Sequence, residues 1–136
     1  MMKRSLLLAL LGLLAVPTAA CGAASDPGAP SAPPPIAPET ACQRKAVWTS
    51  AIACLDCASR VVQEPCTCNP GPANGTCFEQ NKRRATACSK TVTDCVFGCG
   101  SDCACLGRCY TAQAACTSAS ADLEGCILQV CDPFCK

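Results

Sequence analysis

Apolar positions are arranged in three ways along this chain, and each arrangement predicts a different kind of segment. Leu6 to Val16 (LLLALLGLLAV) is an unbroken apolar run of eleven residues, too short to cross about 30 Å of hydrocarbon as a helix. From Gly22 to Ala41 large apolar side chains almost vanish and six prolines appear (GAASDPGAPSAPPPIAPETA). Such a stretch cannot bury enough surface to fold, so residues 21–41 are expected to form a disordered, Pro/Ala-rich tether whose job is spacing. From Cys42 onward small and apolar residues return at helical intervals.

Val47, Ala51, Cys54, Ala58 and Val61 are spaced 4, 3, 4, 3, which is one face of a helix and not the alternation of a strand. Cys88, Val92, Cys95 and Cys99 make a second stripe, ended by Gly98 and Gly100. Cys105, Cys109, Ala112 and Cys116 make a third, and Leu123, Ile127 and Val130 a fourth, closed by Pro133. Thr40 to Gln43 and Thr76 to Glu79 match the capping box, in which a hydroxyl and an acid or amide satisfy the first helical N–H groups. The pattern predicts an all-α domain over 42–136, a small disulfide-rich bundle of about four short helices.

Composition explains why the bundle must be stapled. The chain has 136 residues, 17 Cys, one Trp, one Tyr and three Phe, enough for one small domain with appendages. Burial stabilises by about 25 cal/mol per Å², and the Ala and Cys that supply much of the apolar fraction bring little area. Chains this short then need covalent or metal links. Sixteen of the cysteines lie between Cys42 and Cys135, a density that signals a disulfide framework in an exported chain.

Export is read from the other end. Met1-Met2-Lys3-Arg4-Ser5 is short and positive, the apolar run follows, and Thr18-Ala19-Ala20 offers the small residues a signal peptidase accepts. Residues 1–20 are therefore expected to be a signal peptide, and the mature chain to meet an oxidising environment. Without Lys3 and Arg4 the charge balance becomes 9 − 10, or −1, so no nucleic-acid footprint is expected. The one basic run, Lys82-Arg83-Arg84, reads as a solvated helix face.

Ala19, Ala20 and Cys21 resemble the lipobox of bacterial lipoproteins, although Thr18 stands where that family places an aliphatic residue. The resemblance implies lipid attachment at Cys21, membrane lipid as a partner, and, with Gly22 next, an outer-membrane or cell-surface location. Plain secretion, or a periplasmic protein, is the alternative. Parity points the same way, because committing Cys21 to a thioether leaves sixteen cysteines, an even number.

Within the framework the spacing is mirror-symmetric about Asp102: Cys99 and Cys105 lie three residues to either side, Cys95 and Cys109 seven, Cys88 and Cys116 fourteen. At about 100° per residue each set of three forms one narrow row on its helix. Folding the two rows antiparallel about Gly98 to Cys103 predicts the nested bridges Cys99–Cys105, Cys95–Cys109 and Cys88–Cys116. The ladder is similar to the helical hairpins of the coiled-coil-helix-coiled-coil-helix family, though the twin C-x9-C spacing of that family is absent and no function is implied. The pairing of Cys42, Cys54, Cys57, Cys66, Cys68, Cys77, Cys103, Cys126, Cys131 and Cys135 stays open. Cys131 and Cys135 are expected to fasten the last helix to the first, and the turn-rich stretch from Cys66 through Cys68 to Cys77 to form a surface loop.

Reactive chemistry finds little support. The chain has no His, which rules out Ser–His–Asp and Cys–His arrangements. Cys54-Leu55-Asp56-Cys57 has the C-x2-C spacing of thiol–disulfide enzymes, but it lies inside a helical stripe with no strand beside it, so a structural role is expected. Asp94, Asp102, Asp122 and Glu124 read as helix-end acids and not as a catalytic pair. Asn74-Gly75-Thr76 matches a glycosylation sequon and reads more simply as a turn entering a helix. Cys54-x2-Cys57 followed by Cys66-x-Cys68 has a spacing that could bind zinc, and the whole cysteine set could hold Cu(I), since thiolates suit both metals. Ala53 to Ala58 (ACLDCA) also resembles stretches of the cysteine-lined helical copper-storage proteins, so a Cu(I) or Zn(II) thiolate protein is an alternative. Export favours oxidised cysteines, so no metal and no cofactor are expected. The chain thus reads as a non-enzymatic, exported, lipid-anchored structural or protein-interaction module with a protein partner at the cell surface. A secreted inhibitor or toxin-like factor using the Cys68 to Cys77 loop is the remaining alternative.

Overall fold

Pro38 sets where the first helix begins. Its fixed φ and missing N–H suit the first helical position, and α1 runs Pro38–Lys45 with Glu39 in its first turn and Arg44 and Lys45 in its last, the polarity the helix dipole favours. The computed structural model describes residues 32–65 and 74–136. The other helices are α2 (Ile52–Arg60), α3 (Phe78–Ala87), α4 (Lys90–Cys99), α5 (Cys103–Thr111) and α6 (Ala114–Cys131), followed by a 3-10 turn over Asp132–Phe134. The chain is all-α, as the periodicity predicts, but six α-helices stand among the described residues where the stripes suggest about four.

The extra helices come from breaks within the stripes. Residues 46–51 leave the helix, so Val47 is 82% exposed and does not share a buried face with Cys54. Val-Trp-Thr-Ser is a weak helix former, and better partners lie elsewhere. The Trp48 indole N–H donates to Asp132 Oδ1 at 2.8 Å, Arg44 pairs with the same carboxylate, and the Thr49 N–H donates to the Cys135 carbonyl at 3.2 Å. The second stripe breaks at Cys88 and Ser89, where the Ser89 hydroxyl caps α4 by accepting the Val92 N–H at 3.4 Å. The third breaks at Ala112 and Gln113, so Cys116 belongs to α6.

Neither capping box acts as one. Thr40 is already the third residue of α1, whose N-cap is Ala37, and the N-cap of α3 is Cys77; no side chain caps either helix. Asp102 does cap: its carboxylate accepts the Cys105 N–H at 3.0 Å at the start of α5. Asp94 instead pairs with Lys90 one turn back at 2.6 Å. Asp122 and Glu124 lie in the middle of α6, where Glu124 takes Lys45 of α1 at 2.6 Å.

The longest helix, α6, is the spine. Its eighteen residues span about 27 Å and carry Leu123, Cys126, Ile127, Leu128 and Cys131 into the interior. α1, α2, α3 and α5 all pack on it. The larger core cluster consists of Cys54, Cys57, Cys77, Cys126, Cys131 and Cys135 with only Val61, Leu123 and Ile127. Six of its nine members are half-cystines, so sulfur occupies the space that Leu and Phe fill in an ordinary small domain. A second cluster of Val92, Tyr110 and Cys116 lies under α4 and α5.

The domain starts before Cys42. The Ile36 N–H donates to the Ala121 carbonyl at 3.0 Å, Pro38 and Ala41 are buried, and the Pro34 carbonyl lies against Gly125, where a Cβ would collide with it. The end of the expected tether, residues 34–41, is thus part of the folded unit. α6 offers it a docking groove by carrying glycine at that one turn. The signal-peptide and lipid-attachment assignments, residues 1–20 and Cys21, lie outside the described residues.

Candidate functional site

Fourteen cysteines fall among the described residues, and all of them are in bridges. The three rungs placed opposite one another by the mirror spacing are bonded: Cys88–Cys116, Cys95–Cys109 and Cys99–Cys105, with Cα–Cα distances of 4.6, 5.8 and 5.5 Å. The inner two join α4 to α5, as a folded hairpin requires. The outer one joins the end of α3 to α6, because both helical rows break between their second and third cysteines.

The pairings that spacing leaves open fall into place on α6 and its neighbours. Cys57 is bonded to Cys131 and Cys54 to Cys135, which ties α2 to the end of α6 and the turn beyond it. The chain's last helix is therefore fastened to the stretch expected as its first, now a separate α2. The two cysteines of the C-x2-C pair therefore have different partners and are not bonded to each other. Cys42 is bonded to Cys103, linking α1 to α5, and Cys77 to Cys126. Cys66 and Cys68 lie outside the described residues.

One helix shows why the bonds sit where they do. α3 buries no side chain, yet Cys77 before it and Cys88 after it are both bonded to α6. Eleven residues separate the two on α3 and ten separate Cys116 from Cys126, so the two helices offer antiparallel attachment points about 15 Å apart. Lys82 and Arg83 are left exposed on the outer face of α3, a solvated position, while Arg84 turns in to reach the Tyr110 hydroxyl at 3.4 Å.

Two surface features carry candidate chemistry. On the α4–α5 hairpin a cleft of about 260 Å³ is lined by Val92, Cys95, Cys105, Arg108 and Cys109. The Sγ atoms of Cys95, Cys99 and Cys109 all lie within 4.8 Å of one another. Each belongs to a bridge, so this is a packed group of sulfurs and not a set of thiolate ligands. On the opposite side of the sequence pattern, the bends around α2 leave large apolar side chains in water: Val47, Ile52, Leu55 and Phe134 are all at least half exposed. Ile52 and Leu55 share a face of α2, and the Cys54–Cys135 bridge and the Thr49 to Cys135 hydrogen bond bring that helix to the turn carrying Phe134. Val47 lines a groove of about 200 Å³ together with Arg44, Trp48, Asp132 and Lys136.

Sequence reasoning did not reach this edge, because it places Val47 on a buried stripe. The signal that was available is the polar run Thr49-Ser50 directly after Trp48, a poor helix interior. Comparison with known proteins returns no matching family model, no matching curated protein and no matching solved structure. Among the described residues no helix is long and apolar enough to cross a membrane. A cysteine-rich helical bundle with this many bridges belongs to an oxidising environment outside the cytoplasm.

Proposed function

We propose that this chain is an exported, lipid-anchored structural or protein-interaction module, not an enzyme, and that it presents the Val47, Ile52, Leu55 and Phe134 edge to a protein partner at the cell surface. The exposure of these four side chains is the observation that carries the reading. Four large apolar side chains stand in water on a frame fixed by the Cys54–Cys135 and Cys57–Cys131 bridges. A rigid apolar edge loses little conformational freedom when a partner covers it. Trp48 and Arg44, residue types enriched at interface hot spots, line a groove with Val47. Lipid attachment at Cys21 would hold the module at the outer membrane on residues 22–33.

The Cu(I) or Zn(II) reading needs thiolates, and the cysteines among the described residues are in bridges, which supports the interaction reading over it. Intact mass spectrometry of the native protein, with and without reduction, tests the proposal. The expected result is an acylated N-terminal Cys21, a gain of about two hydrogens per bridge on reduction, and no metal. An unacylated chain that carries metal and many reactive thiols would overturn it.

A further inference from the structure

The inner rungs of the sulfur ladder are close enough to react with each other. Cys99 Sγ lies 3.4 Å from Cys109 Sγ, although the two belong to different bridges. Cys95 is exposed, Cys99 and Cys105 are half-buried and Cys109 is buried. Cys95, Cys105 and Cys109 line the cleft that also holds Arg108, whose guanidinium favours the anionic form of any sulfur that enters or leaves. Reactive sulfur needs access and a cation, and this cleft supplies both.

We propose that these four cysteines form a disulfide relay that accepts two electrons from an external dithiol, a stoichiometric exchange without turnover that goes beyond the interaction role above. One thiolate of the dithiol attacks Cys95 Sγ from the cleft, forming a mixed disulfide and releasing Cys109 as thiolate. The Cys109 thiolate attacks Cys99 Sγ beside it, forms a Cys99–Cys109 bond and expels Cys105 as thiolate beside Arg108. The second thiol of the dithiol then attacks the mixed disulfide, leaves as an oxidised cyclic disulfide and frees Cys95. The dithiol has lost two electrons and two protons. The protein has exchanged two bridges for one, with protonated thiols at Cys95 and Cys105. Entry through Cys99–Cys105 leads to the same product, because Cys99 and Cys109 are the adjacent pair in either direction.

The product has a distinctive signature. The full folded chain is incubated anaerobically with one equivalent of dithiothreitol, quenched in acid, alkylated and mapped without reduction. Label on Cys95 and Cys105 together with a Cys99–Cys109 crosslink is expected. Label on Cys95 and Cys109 with Cys99–Cys105 intact, label on Cys99 and Cys105 with Cys95–Cys109 intact, or loss of other bridges before these two would each overturn the relay. Arg108→Gln should slow labelling by about two- to fivefold, the size of a part-exposed charge interaction, with Arg108→Lys restoring the rate. An unchanged rate in Arg108→Gln would remove Arg108 from the proposal.

Discussion

The Gln113 side chain spans the gap opened at Ser89: its Oε1 accepts the Ser89 N–H at 3.1 Å while its Nε2 donates to the Ala87 carbonyl at 2.9 Å. One amide thus satisfies a donor and an acceptor left free where α3 ends and α4 begins. Gln113 is itself the residue at which α5 gives way to α6, so each break in the helical rows is held by the other. Gln113→Ala should lower stability by about 1 kcal/mol per lost bond. Gln113→Glu keeps an acceptor for the Ser89 N–H but sets a carboxylate oxygen against the Ala87 carbonyl, so it should not recover the loss. Thermal melts of the oxidised variants give the order.

Gly125 makes room for the entering chain. Gly125→Ala places a methyl group on the Pro34 carbonyl, backbone that cannot rotate aside. The expected outcome is release of residues 34–37 from α6 with loss of the Ile36 to Ala121 bond, at about 1 to 3 kcal/mol. Hydrogen exchange at the Ile36 amide should rise in the variant while the amides of α4 and α5 are unaffected.

Trp48 is the chain's one tryptophan, so its fluorescence reports on its environment alone. Asp132 accepts from its indole and pairs with Arg44. Asp132→Ala should shift Trp48 emission to the red and cost about 1 to 2 kcal/mol. Unshifted emission would show that the 46–51 bend does not depend on this carboxylate.

The bridges should not contribute equally. Cys57 and Cys131 are 74 residues apart and Cys99 and Cys105 six. Loop-closure entropy predicts about 4 kcal/mol for a lone bridge of the first size and about 2 kcal/mol for the second, both lower when other bridges persist. Cys57 and Cys131 are also buried in the core, which adds a cavity cost on truncation. The paired Ala variant at 57 and 131 should therefore lose clearly more in denaturant midpoint than the pair at 99 and 105.

The nested rungs were legible because bridging imposes a metric rule. Sulfurs must face each other at fixed separations, and the mirror about Asp102 is that rule written in sequence. The helix breaks were not, because none carries Gly or Pro; Thr49-Ser50 after Trp48, and Ser89 before a Lys-Thr-Val run, are weak local signs. Thr40 and Thr76 illustrate the opposite error. Each has the acid or amide three residues on, yet Pro38 starts α1 three residues early, and the Cys77 bond to α6 fixes where α3 enters. The exposed edge around Ile52 and Leu55 depends on Trp48 reaching Asp132, a contact across 84 positions that no local pattern encodes.

At the centre of this account is a core in which bonded sulfur stands in for bulky hydrocarbon. Far-ultraviolet circular dichroism of the protein, recorded during full reduction with chelator present, addresses it directly. Helical signal should collapse and the cooperative melt disappear once the bridges open. A reduced, metal-free chain that retained the oxidised spectrum and melting midpoint would contradict it.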